Sequence, residues 1–287
     1  MISYKEILQE LDTFPPLTSA VQETIHWIQQ SQRNPADIIK IIEENDHLAA
    51  SVLSIANSDY FNKNKKIESL HDVIDFLGEE TFFQITVAIG TIDWFQKSVL
   101  KKQNPSQRLW DHCLAVGVGI EQLALILDIK NTKYLFISGF LHDIGKALLE
   151  SNTIIDTDKI VDLSDSESLS VDEAERKILG IDHMEIGATI LSKWDMPSII
   201  VNAVRWHHQP TAFNDVTHQV DMLHVADAIA LMMGICPQSE GMNYRICTES
   251  AKKLKISNDL INNVIFDNMD KFDPLKGSFA PLIGEVV

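Results

Sequence analysis

Within YLFISGFLHDIGKALL, residues 134–149, nearly every side chain is apolar, and the ionisable groups are His142, Asp143 and Lys146. A segment with no polar face is read as a buried helix. Burying ionisable groups without partners is costly, so other parts of the chain must supply compensation. Neighbours on a helix diverge by about 100°, which would make one cation awkward for both His142 and Asp143. Two cations suit the pair better, with the imidazole on one ion and the carboxylate bridging both. Lys146, four residues after His142 and three after Asp143, can lean over the same place, where its ammonium could hold a phosphate oxygen.

A His-Asp pair alone carries little weight. With ten histidines and 41 acidic residues in 287, about one or two such pairs arise by chance. The chain holds its own control in His71-Asp72, which has no Gly-Lys after it and reads as surface or first-turn charge. What distinguishes His142-Asp143 is its company. His112 enters a long apolar helix, and His183 follows the expected N-cap Asp182. His207 and His208 close PSIIVNAVRWHH, and Asp227 lies in the apolar LHVADAIALMM. Imidazoles and carboxylates are the ligands that hold iron, manganese or zinc, and two such ions activate a water and clamp a phosphate. For any one of these histidines taken alone, a hydrogen-bonded core or surface role is the plainer reading, and Lys146 can equally pair with Asp143 as a buried ion pair.

Outward from this stretch, helical periodicity dominates and no series of alternating strands appears. Helices are expected near 3–11, 18–31, 35–45, 47–57, 70–77, 79–100, 106–128, 132–149, 171–179, 183–194, 198–208, 217–233, 244–254 and 258–268. Asn34-Pro35, Asp46, Ser69, Ser170 and Asp182 supply start signals; Gly78, Gly180 and Gly234 supply ends. The fold class is therefore all-α, an irregular multi-helix bundle. The polar Lys101–Ser106 segment is the best boundary, giving an N-terminal helical half (1–104) packed on a C-terminal helical half (105–287). Asn152–Ser170, rich in Ser, Asp and Glu, reads as an exposed excursion.

Composition narrows the function. The net charge of −17 repels nucleic acid and anionic membranes, and the small Lys63–Lys66 and Lys101-Lys102 clusters do not offset it. Cys113, Cys236 and Cys247 form no paired pattern, as expected of reduced thiols. The start of the chain carries no charged-then-apolar leader, and no uninterrupted apolar run approaches the roughly 20 residues of a membrane span. A cytoplasmic location is expected.

The order His, His-Asp, His, His-His, Asp resembles the HD superfamily of metal-dependent phosphohydrolases, most closely the form in HD-GYP phosphodiesterases. In that comparison His112, His142, Asp143, His183, His207, His208 and Asp227 fall on ligand positions, and Lys146 on the lysine of the HDxGK motif. The N-terminal half is similar to HDOD domains. Phe14-Pro15-Pro16-Leu17 resembles their LPPLP opening, and Asn45–Leu48 leading to Ser54–Phe61 resembles DPxL…ANSAYF. Ile67–Leu70 and Phe76-Leu77-Gly78 resemble the stretch that follows. The resemblance covers about residues 8 to 232.

It implies a bacterial signal-transduction protein whose partner is another protein or a small signalling molecule such as a phosphorylated nucleotide. The alternative it carries is an active phosphohydrolase using a dinuclear centre, with Asp143 and Lys146 in the catalytic roles. Most HDOD proteins resemble degenerate HD enzymes with ligands missing, so the number of ions, from none to two, stays open. No GYP motif follows His207-His208, and Arg108 stands where three-metal relatives carry a glutamate. A third ion and cleavage of cyclic dinucleotides are therefore not expected.

Overall fold

Side-chain caps start several helices where the sequence offers them. Asn34 accepts from the Ala36 amide ahead of Pro35, Asn45 from Leu48, and Asp182 from Glu185. The computed structural model describes residues 6, 7, 9, 11, 16–61, 66–98, 107–130, 132–151, 155–214, 216–237 and 244–283. Among these residues there is no strand. Residues 12–15, 62–65 and the expected boundary at 101–106 lie outside them, as does most of the helix expected at 3–11.

Helices α1 (Ser19–Ile28), α2 (Pro35–Glu43) and α3 (Asp46–Ala56) lead into α4 (Leu70–Ser98). Gly78 breaks α4 with φ 87 and ψ 162, a conformation only glycine adopts readily, so the two helices expected on either side of it meet at a kink. Next come α5 (Gln107–Ile126), α6 (Leu135–Leu141), α7 (Ile144–Ser151), α8 (Thr157–Glu167), α9 (Val171–Leu179) and α10 (His183–Lys193). The chain closes with α11 (Ser198–Trp206), α12 (Gln219–Met232), α13 (Thr248–Lys253) and α14 (Asn258–Ile283). One continuous apolar core runs through them, from Val21 and Ile39 in the first helices to Leu275 and Phe279 in the last. The Trp94 and Trp194 rings, 5.4 Å apart, join α4 to the end of α10.

Three backbone approaches set the geometry around residues 142–146. A Cβ on Gly139 would lie 2.7 Å from the Cα of Gly117, and one on Gly117 would lie 3.0 Å from the Phe136 carbonyl. Helices α5 and α6 therefore cross almost backbone to backbone, which brings the His112 and His142 rings to 5.1 Å. Gly145 sits against the start of α10, where an added Cβ would be 2.0 Å from the His183 carbonyl oxygen. By length and mean hydropathy (1.3) α5 is apolar enough to cross a membrane, but 78% of its apolar window is buried in the fold. That apolarity serves the core.

Three expectations need correction. The single helix expected over 132–149 is two, interrupted at His142 and Asp143. Part of the polar stretch 152–170 forms α8, which buries Ile160 and Ser164. The final helix continues past 268 to Ile283 through Pro274, because Phe272, Leu275 and Phe279 are buried. Within Ser54–Phe61, Ile55 and Ala56 are fully buried, and Tyr60 and Phe61 pack on Phe136. Tyr60 also donates to Glu121 at 2.5 Å, and burial of that glutamate raises it to about 7. The control pair behaves as expected. Asp72 accepts from the amides of Glu68 and Ser69 at the start of α4, and His71 is exposed.

Candidate metal centre

The break between α6 and α7 is what turns His142 and Asp143 toward one place. On an uninterrupted helix their side chains would diverge; here His142 Nε2 lies 3.3 Å from Asp143 Oδ2. From α5, His112 Nε2 reaches 3.7 Å from the same oxygen and 3.1 Å from Asp227 Oδ1 on α12. On the other side, Asp143 Oδ1 faces His183 Nε2 at 3.5 Å and His207 Nε2 at 3.8 Å. His208 completes the ring, with Nδ1 3.9 Å from Asp227 Oδ2. All seven residues singled out from the sequence thus meet in one pocket. They fall into two groups whose donor atoms lie within 4.8 Å of one another: Asp143, His183, His207 and His208, and His112, His142 and Asp227. Asp143 stands between the groups with one oxygen toward each.

The outer nitrogens of the rings define what the inner ones can do. Nδ1 of His112 donates to the Ile235 carbonyl at 2.8 Å, that of His142 to Gly139 at 2.7 Å, and that of His207 to Val204 at 2.7 Å. His183 Nδ1 donates to Glu175 at 2.6 Å. A neutral imidazole that donates through Nδ1 keeps its Nε2 lone pair free. Those four Nε2 atoms and both Asp143 oxygens are buried without a hydrogen bond, Lys146 Nζ being an ion-pair neighbour of Oδ2 at 3.0 Å. Buried lone pairs without donors are rare in folded proteins. A cluster of them aimed at one space is the donor set that iron, manganese or zinc accepts, so the residues fit such ions.

The electrostatics divide the ring: burial opposes charge on His112, yet Asp227 and Asp143 raise it. Burial would raise the Asp143 carboxyl, but His142 and Lys146 hold it well below the carboxylate range. Asp227 is lowered in the same way by His112 and His142 against its burial. Burial and neighbouring imidazoles push His207 and His208 well below the usual histidine value, so both are neutral at pH 7. His183 differs. Burial opposes its charged form, yet Glu175 raises it to about 9.

The sequence reading missed several supporting residues. Glu175 on α9 accepts from both the backbone amide and Nδ1 of His183. Arg176 beside it pairs with Asp172 and Asp182, tying α9 to the start of α10. His224 takes the Cys247 amide on Nε2 at 2.8 Å and faces the His207 carbonyl with Nδ1 at 2.7 Å, so it braces the backbone at His207 and has no ring nitrogen left for the cluster. Gly234 (φ 77) ends α12 and sends the chain back so that the Ile235 carbonyl meets His112. Gly234 was already legible as a helix end, whereas Glu175, Arg176 and His224 carry no clear local signal. Arg108, one turn before His112, is exposed and contributes nothing to the pocket.

The HDOD domain family matches residues 14–210 of this chain. An uncharacterized protein of Treponema pallidum (strain Nichols) is 22% identical over 209 residues, 70% of this chain. The match spans only 39% of that relative's length. A provisionally assigned phosphohydrolase of Shewanella amazonensis SB2B has a similar crystal structure, with a TM-score of 0.73 at 19% identity, covering 97% of this chain and 98% of that one. A provisionally assigned signal transduction protein of Marinobacter aquaeolei VT8 superposes with a TM-score of 0.71 at 18% identity, over 96% of this chain and 60% of that one. At these identities the two structures speak for the fold.

Proposed function

This chain belongs to the HDOD domain family, and on that premise we propose that it is a signal-transduction protein that retains a two-cation centre of HD type. One observation carries the reading: four imidazole Nε2 atoms and Asp143 Oδ1 converge, buried and without a hydrogen bond, beside an Asp143 Oδ2 whose neighbour is the Lys146 ammonium. His112, His142 and Asp227 hold one ion and His183, His207 and His208 the other, with Asp143 shared. Among the described residues the ring is closed. Its other members are almost wholly buried, and His208, the most open, has a side chain only 8% exposed. A centre sealed this way holds helices from five stretches of the chain in one arrangement, which suits a module that acts by binding a protein or a small signalling molecule.

Lys146 favours a second reading, metal-dependent phosphoester hydrolysis. Its ammonium is set into an apolar helix 3.0 Å from Asp143, where it could steady a phosphate oxygen. Bound divalent ions would supply the activation of water and the neutralisation of phosphate charge. In that reading Asp143 shares the ions and Lys146 orients the substrate.

The experiment combines metal analysis with turnover. The full chain is loaded with manganese or iron and assayed on p-nitrophenyl phosphate and bis-p-nitrophenyl phosphate. The expected result is bound metal with hydrolysis no faster than that of the Asp143→Ala protein. Metal-dependent turnover abolished by Asp143→Ala would overturn the signalling reading in favour of the enzyme. A chain that binds no metal would overturn the retained centre in both.

A further inference from the structure

The four histidines whose Nε2 atoms face the pocket are not backed alike. Three donate Nδ1 to backbone carbonyls, those of Ile235, Gly139 and Val204. His183 donates to a carboxylate, Glu175, at 2.6 Å, and the same oxygen accepts the His183 backbone amide at 2.8 Å. Glu175 is 2% exposed. Its helix is fixed in turn through Arg176, which pairs with Asp172 on α9 and with Asp182, the N-cap of α10. A buried anion is retained only where something compensates it, and here the compensation is the ring of one ligand. A carboxylate draws the Nδ1 proton more strongly than a carbonyl does, which makes Nε2 the better electron donor and fixes the ring's orientation.

Resting on the two-cation reading above, we propose that Glu175 is a positioning residue that makes the two cation positions unequal, the His183 position being the tighter. Occupancy then follows an order. At low free metal only the His183 position fills, and the His112–His142–Asp227 position fills as metal rises. The chain would carry two states of its centre, separated by divalent-cation concentration.

The test uses chelator-stripped full-length protein titrated with Mn2+, with free Mn2+ followed by electron paramagnetic resonance. Wild type is expected to bind two ions with separable constants. Glu175→Gln keeps the shape and can still accept a hydrogen bond. It should weaken the tighter constant by about 10–100-fold while leaving the other within about twofold. Asp227→Asn should weaken the looser constant instead. A Glu175→Gln titration identical to wild type, or one in which both constants fall equally, would overturn the proposal. Wild type binding no ion would instead sink the two-cation reading itself, so the two failures are distinguishable.

Discussion

Gly145→Ala is expected to cost roughly 4 kcal/mol or more, at the extreme of single substitutions. The added Cβ would sit 2.0 Å from the His183 carbonyl oxygen, 2.8 Å from its carbon and 3.0 Å from the Gly187 amide nitrogen. All three are backbone atoms of α10, so no side chain can swing aside. Either α7 or α10 must move, and both carry the centre, Lys146 on one and His183 on the other. Urea unfolding of the stripped protein reads the loss. Gly277→Ala is the control, because a Cβ there meets nothing within 4 Å and its φ is not positive. Within a helix it should gain about 0.5–1 kcal/mol. A Gly145→Ala protein as stable as wild type would mean that α7 and α10 do not touch there.

Asp143→Ala is the second large effect. Asp143 is the residue with an oxygen toward each donor group, so its loss should remove both ions and not one. At a hundredfold excess over its dissociation constant, each ion stabilises the fold by about 2.7 kcal/mol. Two ions should therefore raise the melting temperature of wild type by about 10–20 °C, at roughly 2–4 °C per kcal/mol for a large domain. Asp143→Ala should show no metal-induced rise. It should also be less stable without metal, because the buried Lys146 loses its ion pair with Asp143, a loss of about 3–5 kcal/mol. The double variant Asp143→Ala, Lys146→Met separates the two effects: it should recover stability without recovering the metal response. A metal-induced rise in Asp143→Ala equal to that of wild type would remove Asp143 from the shared position.

The contrast between these positions and the sequence shows where legibility ends. His112, His142, Asp143, His183, His207, His208 and Asp227 were all readable as ionisable groups set into or beside apolar helices, and the structure brings all seven together. The start and stop signals at Asn34, Asp182, Gly78, Gly180 and Gly234 were readable because caps and positive φ are local chemistry. The break at His142 and Asp143 was not, since the apolar run continues through it. The passage of Gly145 over the His183 carbonyl comes from a segment about forty residues away. Glu175 was hidden for the opposite reason. On the charged VDEAERKIL it looks like solvated surface, and only packing against α10 makes it a buried partner of His183. The last helix is expected to stop near 268, and burial of Leu275 and Phe279 carries it on to Ile283.

Crystals of the wild-type chain grown with Mn2+ and measured at an energy where manganese scatters anomalously test the central claim most directly. The account predicts two anomalous peaks flanking the Asp143 carboxylate, one beside His183, His207 and His208 and the other beside His112, His142 and Asp227. A map without peaks in that pocket, with the same imidazoles hydrogen-bonded to water or protein through Nε2, would contradict it.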